Sequence, residues 1–131
     1  MNKRSNGFTV IELLFVIVLV AGATILFFVQ KNNVEIGAHD SERKTAINAM
    51  YYSLEEVFYP TNNYYPVSID AKTLPSVDPT LFEDPDGYIL GEAQSNYHYE
   101  GLNCTDNKCK SYTLRAELQN EADFVKQSKR N

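Results

Sequence analysis

The sequence predicts an α+β protein in which one long N-terminal helix packs on a small antiparallel β-sheet. Three observations predict it. From Phe8 to Val29 the chain is apolar with Glu12 as its single ionisable side chain. From about 41 to 59, Ile47, Met50, Tyr51, Leu54, Val57 and Phe58 recur at three- and four-residue steps, the mark of a helix with one apolar stripe. From Ser111 to Leu118 apolar and polar residues alternate strictly, as in a half-buried strand. A chain of 131 residues favours a single domain.

The apolar run comes first. At about 1.5 Å per helical residue it reaches roughly 33 Å, enough to cross a hydrocarbon core of about 30 Å. Lys3 and Arg4 precede it and orient the N-terminus towards the cytoplasm. A carboxylate within such a span is costly, so Glu12 is read as functional and in need of a partner. A removed secretory signal fits less well, because its apolar region spans only about 7 to 15 residues. Ala21-Gly22-Ala23 nevertheless offers a small-residue site partway along, which keeps that alternative open. A plain signal anchor explains the span and its direction, but neither Glu12 nor the Gly7-Phe8 junction.

That junction carries a family resemblance. The leader Met1-Asn2-Lys3-Arg4-Ser5-Asn6-Gly7, the following Phe8 and Glu12 resemble the processing signal of type IV pilins and pseudopilins. The resemblance implies cleavage by a prepilin peptidase between Gly7 and Phe8, and methylation of the new amine on Phe8. It implies that Glu12 guides assembly into a helical filament of identical or related subunits. Membrane lipid before assembly and a membrane assembly platform are further expected partners. Such a subunit is single-pass in the cell membrane, then part of an extracellular filament or a periplasmic pseudopilus. Related pilins often carry a proline where this chain has Val29, so melting of the helix on assembly is not implied here.

The expected organisation is a leader at 1–7, a membrane and assembly helix at 8–29, an outer amphipathic helix at 30–59 and a small β domain at 60–131. The outer helix is expected to continue the first across 34–38, with Gly37 marking a bend, and to end before Pro60, which lacks an N–H and disfavours helix before it. Five prolines make 60–87 a loop-rich connection. Within it, Asn62-Asn63-Tyr64-Tyr65-Pro66 resembles the stretch that follows the helix in small pilins. Asp84-Pro85-Asp86-Gly87 reads as a type I turn. Asp84 and Asp86 are weak calcium candidates, because some pseudopilins bind calcium in this region, but the twelve-residue calcium-loop spacing is absent. Tyr88–Leu90 and Asn96–Glu100 read as short strands, and the last dozen residues as loosely ordered.

A domain of about seventy residues has a marginal core and usually needs a staple. Cys104 and Cys109 are the only cysteines and allow one internal pairing, a disulfide at a hairpin tip outside the cytoplasm. Zinc is disfavoured because no second ligand pair exists.

Other functional classes find little support. The formal net charge is −5, and removal of residues 1–7, with two bases and no acids, takes it to −7. That acidity argues against general nucleic-acid binding. Lys126, Lys129 and Arg130 read as a solvated tail, and Glu55-Glu56 as a wet helix face. His39 and His98 have no metal-like spacing, and no nucleophile elbow or phosphate loop occurs. Asn103-Cys104-Thr105 matches a glycosylation sequon, read as coincidental. The nine tyrosines read as amphipathic cover for a thin core. No catalysis, cofactor or resident metal is expected. The sequence predicts a structural filament subunit, with a pseudopilin of a secretion or DNA-uptake system, or a non-polymerising anchored protein, as alternatives.

Overall fold

A computed structural model describes residues 7–130. The leader residues 1–6 lie outside the described residues. The chain divides into two compact units, one ending at Glu35 and one beginning at Ile36.

Helix α1 runs from Val10 to Tyr52, and its hydrogen bonding continues through Gly37. In the first unit it is long and apolar enough to cross a membrane, with a mean hydropathy of 2.8 over its most apolar window and none of that window buried. In the second unit the same helix turns an apolar stripe inward, with Ala46, Ile47 and Met50 buried, and Leu54 just after it continues the stripe.

The expected end of the helix before Pro60 is corrected. The chain passes through a π-helical turn, Ser53–Phe58, into a last short segment, α2, at Tyr59–Asn62. Within this wider turn the Tyr59 N–H reaches back five residues to the Leu54 carbonyl. Pro60 has no N–H to place in the ladder, so a local change of hydrogen-bond step accommodates it where a regular helix would clash. Asn63, at φ +61°, then closes the helix, its N–H bonded to the Tyr59 carbonyl at 2.7 Å. The π turn also rotates the stripe. Ser53, Leu54 and Glu55 are buried consecutively, while Val57, expected inside, is exposed.

Four strands form one antiparallel sheet: β1 (Tyr65–Pro66), β2 (Tyr97–Thr105), β3 (Lys108–Ala116) and β4 (Phe124–Gln127). Strand β3 is central. It pairs along one side with β2 and along the other with β1 at Lys108–Cys109 and β4 at Thr113–Ala116. Tyr112, Leu114 and Ala116 are buried as the alternation predicts, while Leu118 lies beyond the strand. The loosely ordered tail is corrected, because β4 lies within it. So is a strand at Tyr88–Leu90, which is reduced to a single bridge between Glu83 and Ile89.

The core of the second unit lies between the helical stripe and the sheet's Tyr65, Tyr97, Tyr112 and Leu114. Ile69, Leu74, Val77 and Phe82 from the connecting segment complete it. Caps hold that segment. The Asp70 carboxylate accepts the N–H groups of Lys72 and Thr73, and Asp78 accepts that of Thr80 at the start of a 3-10 turn, Pro79–Phe82. The architecture is the predicted one, a long helix packed on a small antiparallel sheet.

Candidate functional site

The first candidate site is the start of α1. Thr9 caps the helix: its Oγ1 accepts the Glu12 N–H at 3.3 Å, and its carbonyl accepts the Leu13 N–H at 3.0 Å. Thr-x-x-Glu is the sequence signal of a helix start, a second reading of Glu12 that the membrane reading passed over. The Glu12 carboxylate in this first turn faces the positive end of the helix dipole. Phe8 is 72% exposed just before it. A Cβ added at Gly7 would meet nothing within 4 Å, and the Gly7 backbone is not left-handed. Within the described chain, nothing requires glycine there. Beyond Glu12 a continuous apolar surface extends to Val29 with no cover from the described chain.

The second unit holds polar groups that sequence reasoning missed. Glu55, expected on a wet face, is 1% exposed. Both of its oxygens lie 3.1 Å from the Tyr65 hydroxyl, and Oε1 also accepts the Tyr112 hydroxyl at 3.0 Å and the Lys129 N–H at 3.1 Å. The Arg130 guanidinium stands 3.6 Å from Oε2. Burial, reinforced by the Glu55 charge, pushes the Tyr65 phenol up to about 12 and that of Tyr112 well above its ordinary value. These phenols are donors that hold a carboxylate, too weakly acidic to exchange protons near neutrality. The cluster is a clasp joining helix, sheet and tail. The tail is accordingly not a free solvated end: Lys129 Nζ meets Glu56 at 2.7 Å, and Lys126 lies over the Tyr51 ring.

A second polar cluster surrounds Arg43, which is fully buried. Its guanidinium donates to Asp40 at 3.0 Å and to Asp86 at 2.7 Å, while its Nε has no partner among the described residues. Burial opposes charge on Asp40, but the N–H groups of Gln119 and Asn120, with Arg43, outweigh it and hold the carboxyl below its usual value. Asp84 has the same balance. Burial is outweighed by backbone N–H bonds from Asn96, Tyr88 and Asp86, so its pKa is also lowered. The two weak calcium candidates thus stand together, each already engaged: Asp84 within its own turn and Asp86 on Arg43 and the Asn96 amide. Among the described residues no group of three His, Cys, Asp or Glu is arranged to hold a metal ion. His98 meets Glu117 at 3.1 Å on the surface.

Cys104 and Cys109 form the expected disulfide, directly opposite one another in the β2–β3 hairpin. The tip is the two-residue turn Asp106-Asn107, with φ +50° and +61°, the left-handed pair that a tight hairpin turn requires and that Asp and Asn tolerate. Gly101 was missed. A Cβ there would lie 2.6 Å from Cys109 Sγ and 3.2 Å from Cys104 Sγ, so the bridge occupies the space a side chain would need. Glycine inside a strand pattern is the signal that could have found it.

The sequence-predicted residues therefore fall into separate places: Gly7, Phe8 and Glu12 in the first unit, and the disulfide and the aspartates in the second. Comparison with family models, with curated proteins and with solved structures returns no match to this chain.

Proposed function

We propose that this chain is a structural subunit of a type IV pilus-like filament, matured by a prepilin peptidase and polymerised through its N-terminal helix. The observation that carries this reading is the start of α1. An apolar helical surface without intramolecular cover begins one turn after a glycine that the described chain does not require, and its one carboxylate sits in that first turn.

On this reading the glycine serves an external active site. A side chain at position 7 would crowd the scissile bond before Phe8. Cleavage leaves Phe8 with a free amine, whose pKa near 8 keeps it charged after one methylation. Glu12 lies one helical turn away, roughly 6 Å along the axis. It is placed to meet the Phe8 ammonium of a neighbouring subunit, which sets the axial register. The uncovered helices pack together in the filament centre, and repetition of a head-to-tail contact that does not close yields a fibre. Before assembly the subunit is held in the membrane by the same helix, with its N-terminus cytoplasmic.

The anchored, non-polymerising alternative explains the span and leaves Glu12 the role of a helix-start residue, but assigns no work to Gly7 or Phe8. A pseudopilin shares the whole maturation chemistry and differs in where its filament forms. N-terminal mass analysis of the protein purified from its own membrane is the test. The expected product starts at Phe8 and carries one added methyl. An intact Met1, or an unmodified Phe8 in fibre material, overturns the proposal.

A further inference from the structure

We infer that the second unit carries a binding cleft for a compact acidic saccharide at its disulfide end. The cleft holds about 450 Å³ between the end of the helix, the β2–β3 hairpin and the tail. Three cations line it, Lys108, Lys110 and Arg130, and none of the described lining residues is acidic. In a chain of formal net charge −5, that is a local reversal of sign. Lys108 and Lys110 form no salt bridge among the described residues, while Arg130 stands 3.6 Å from the buried Glu55 carboxylate.

Aromatic rings hold two of these cations in place. Lys108 Nζ lies 5.2 Å from the centre of the Tyr64 ring, and the Arg130 guanidinium 4.6 Å from that of Tyr59. The cations therefore stand partly ordered before any ligand arrives, which lowers the entropic cost of binding. Donors of this kind suit an oxyanion, a carboxylate or sulfate ester, through charge-assisted hydrogen bonds. The remaining lining is amide and hydroxyl: Asn63, Asn103 and Thr105 can bond ring hydroxyls, and the Asn62 amide has already committed one N–H to the Phe58 carbonyl.

Two features favour a saccharide over a nucleic-acid strand. A strand needs aromatic faces on which bases stack. Here one side of Tyr64 is taken by Lys108 and the edge-on Phe58 lies against the same ring, while Tyr59 is held between Arg130 and Tyr65. A strand also needs a basic track along its backbone, and outside the cleft Lys44, Arg115 and Lys129 are each paired with a carboxylate. A ligand with one or a few acidic groups, filling the cleft and ending there, fits both limits. The inference does not depend on filament formation, because the cleft belongs to one subunit.

The test uses the full chain in neutral detergent micelles, titrated with tetragalacturonate and followed by amide chemical shifts. Saturable binding with shifts at Lys108, Lys110, Asn103 and Arg130 is expected, about tenfold or more weaker in the K108Q/K110Q double variant. Lys72→Gln, a charge loss outside the cleft, is expected to leave affinity unchanged, and the tyrosine near-UV spectrum reports that each variant is folded. Maltotetraose is expected not to bind. Four results overturn the inference: no saturable binding, equal binding by the double variant, equal binding of inorganic sulfate alone, or tighter binding of an eight-residue oligothymidylate.

Discussion

Residues 10–29 and residues 36–62 are both helical, and they treat their side chains in opposite ways. The first stretch is apolar on every side and buries none of it. The second, far more polar, buries Asp40, Arg43, Ser53 and Glu55. Transfer of side chains from water by hydrophobicity alone would reverse that outcome. The difference teaches where each stretch finds its partners. The buried polar groups of the second are met within their own unit: Glu55 by phenols and a backbone N–H, Asp40 by backbone N–H groups and Arg43, Arg43 by two carboxylates apart from its Nε, and Ser53 by the Ser76 hydroxyl. The apolar surface of the first has no cover among the described residues; on the proposed reading lipid and then other subunits meet it.

The comparison is sharpest between two glutamates. Glu12→Val is expected to leave folding, membrane insertion and cleavage nearly intact while filaments vanish, because the Glu12 carboxylate meets no partner among the described residues and the cap bond uses its backbone N–H. Electron microscopy of sheared cell-surface or periplasmic material checks it, and abundant normal filaments from Glu12→Val subunits alone would remove Glu12 as the registering group. Glu55→Ala is expected to do the reverse. It strands two phenol hydroxyls in the core, frees the part-buried Lys129 N–H and destabilises the second unit by about 3 kcal/mol. Its exposed neighbour supplies the control: Glu56→Ala should leave stability nearly unchanged, because an exposed ion pair is screened by water and salt. All nine tyrosines lie at or beyond Tyr51 and the chain has no tryptophan, so tyrosine signals during urea unfolding report the second unit alone. Equal losses at 55 and 56 would contradict the clasp.

This pair also shows what was legible in the sequence. Periodicity gave the helix, the central strand and the α+β class, because those depend on which face is apolar. It misplaced Glu55 and Val57, because the 3.6-residue repeat fails where the helix widens at Ser53–Phe58. It also read the tail wrongly as loosely ordered: β4 is a short edge strand held by pairing to β3, and Lys129 and Arg130 just beyond it meet Glu55 and Glu56, which are far away in sequence. The cysteine pairing was legible from the count of two. The close approach at Gly101 was not, because it depends on where the sulfurs lie relative to the strand.

That hairpin allows a finer test within the second unit. Gly101→Ala places a methyl against Cys109 Sγ and is expected to cost about 1 to 3 kcal/mol by overpacking. The C104S/C109S variant loses a short cross-link, worth about 2 kcal/mol on chain-entropy grounds for a six-residue loop. The two sites are in contact, so the costs are expected to be less than additive: without the bridge the alanine methyl has room. Strict additivity in urea midpoints would show that Gly101 answers to something other than the disulfide, with the Pro66 carbonyl, 3.2 Å from the added Cβ, next in line.

The smallest effect separates the two regions by acid. Asp40 and Asp84 both have folded pKa values below the ordinary 3.8. Groups shifted this way stabilise the fold above their unfolded pKa, and the contribution is lost as pH falls through the lower folded value. Stability of the second unit should therefore be level in mild acid and decline once pH drops below about 3.8, where the unfolded chain takes up protons that the folded one refuses. Asp40→Asn keeps the shape but gives up the charge that Arg43 and the N–H groups of Gln119 and Asn120 hold in place. It should be less stable than the parent near neutrality and approach it as pH falls through the lowered folded pKa of Asp40. Urea unfolding read through tyrosine at several pH values checks both expectations. A gap between parent and Asp40→Asn that persists or widens in acid would mean that Asp40 acts through its shape, and that the polar core of this helix does not depend on charge.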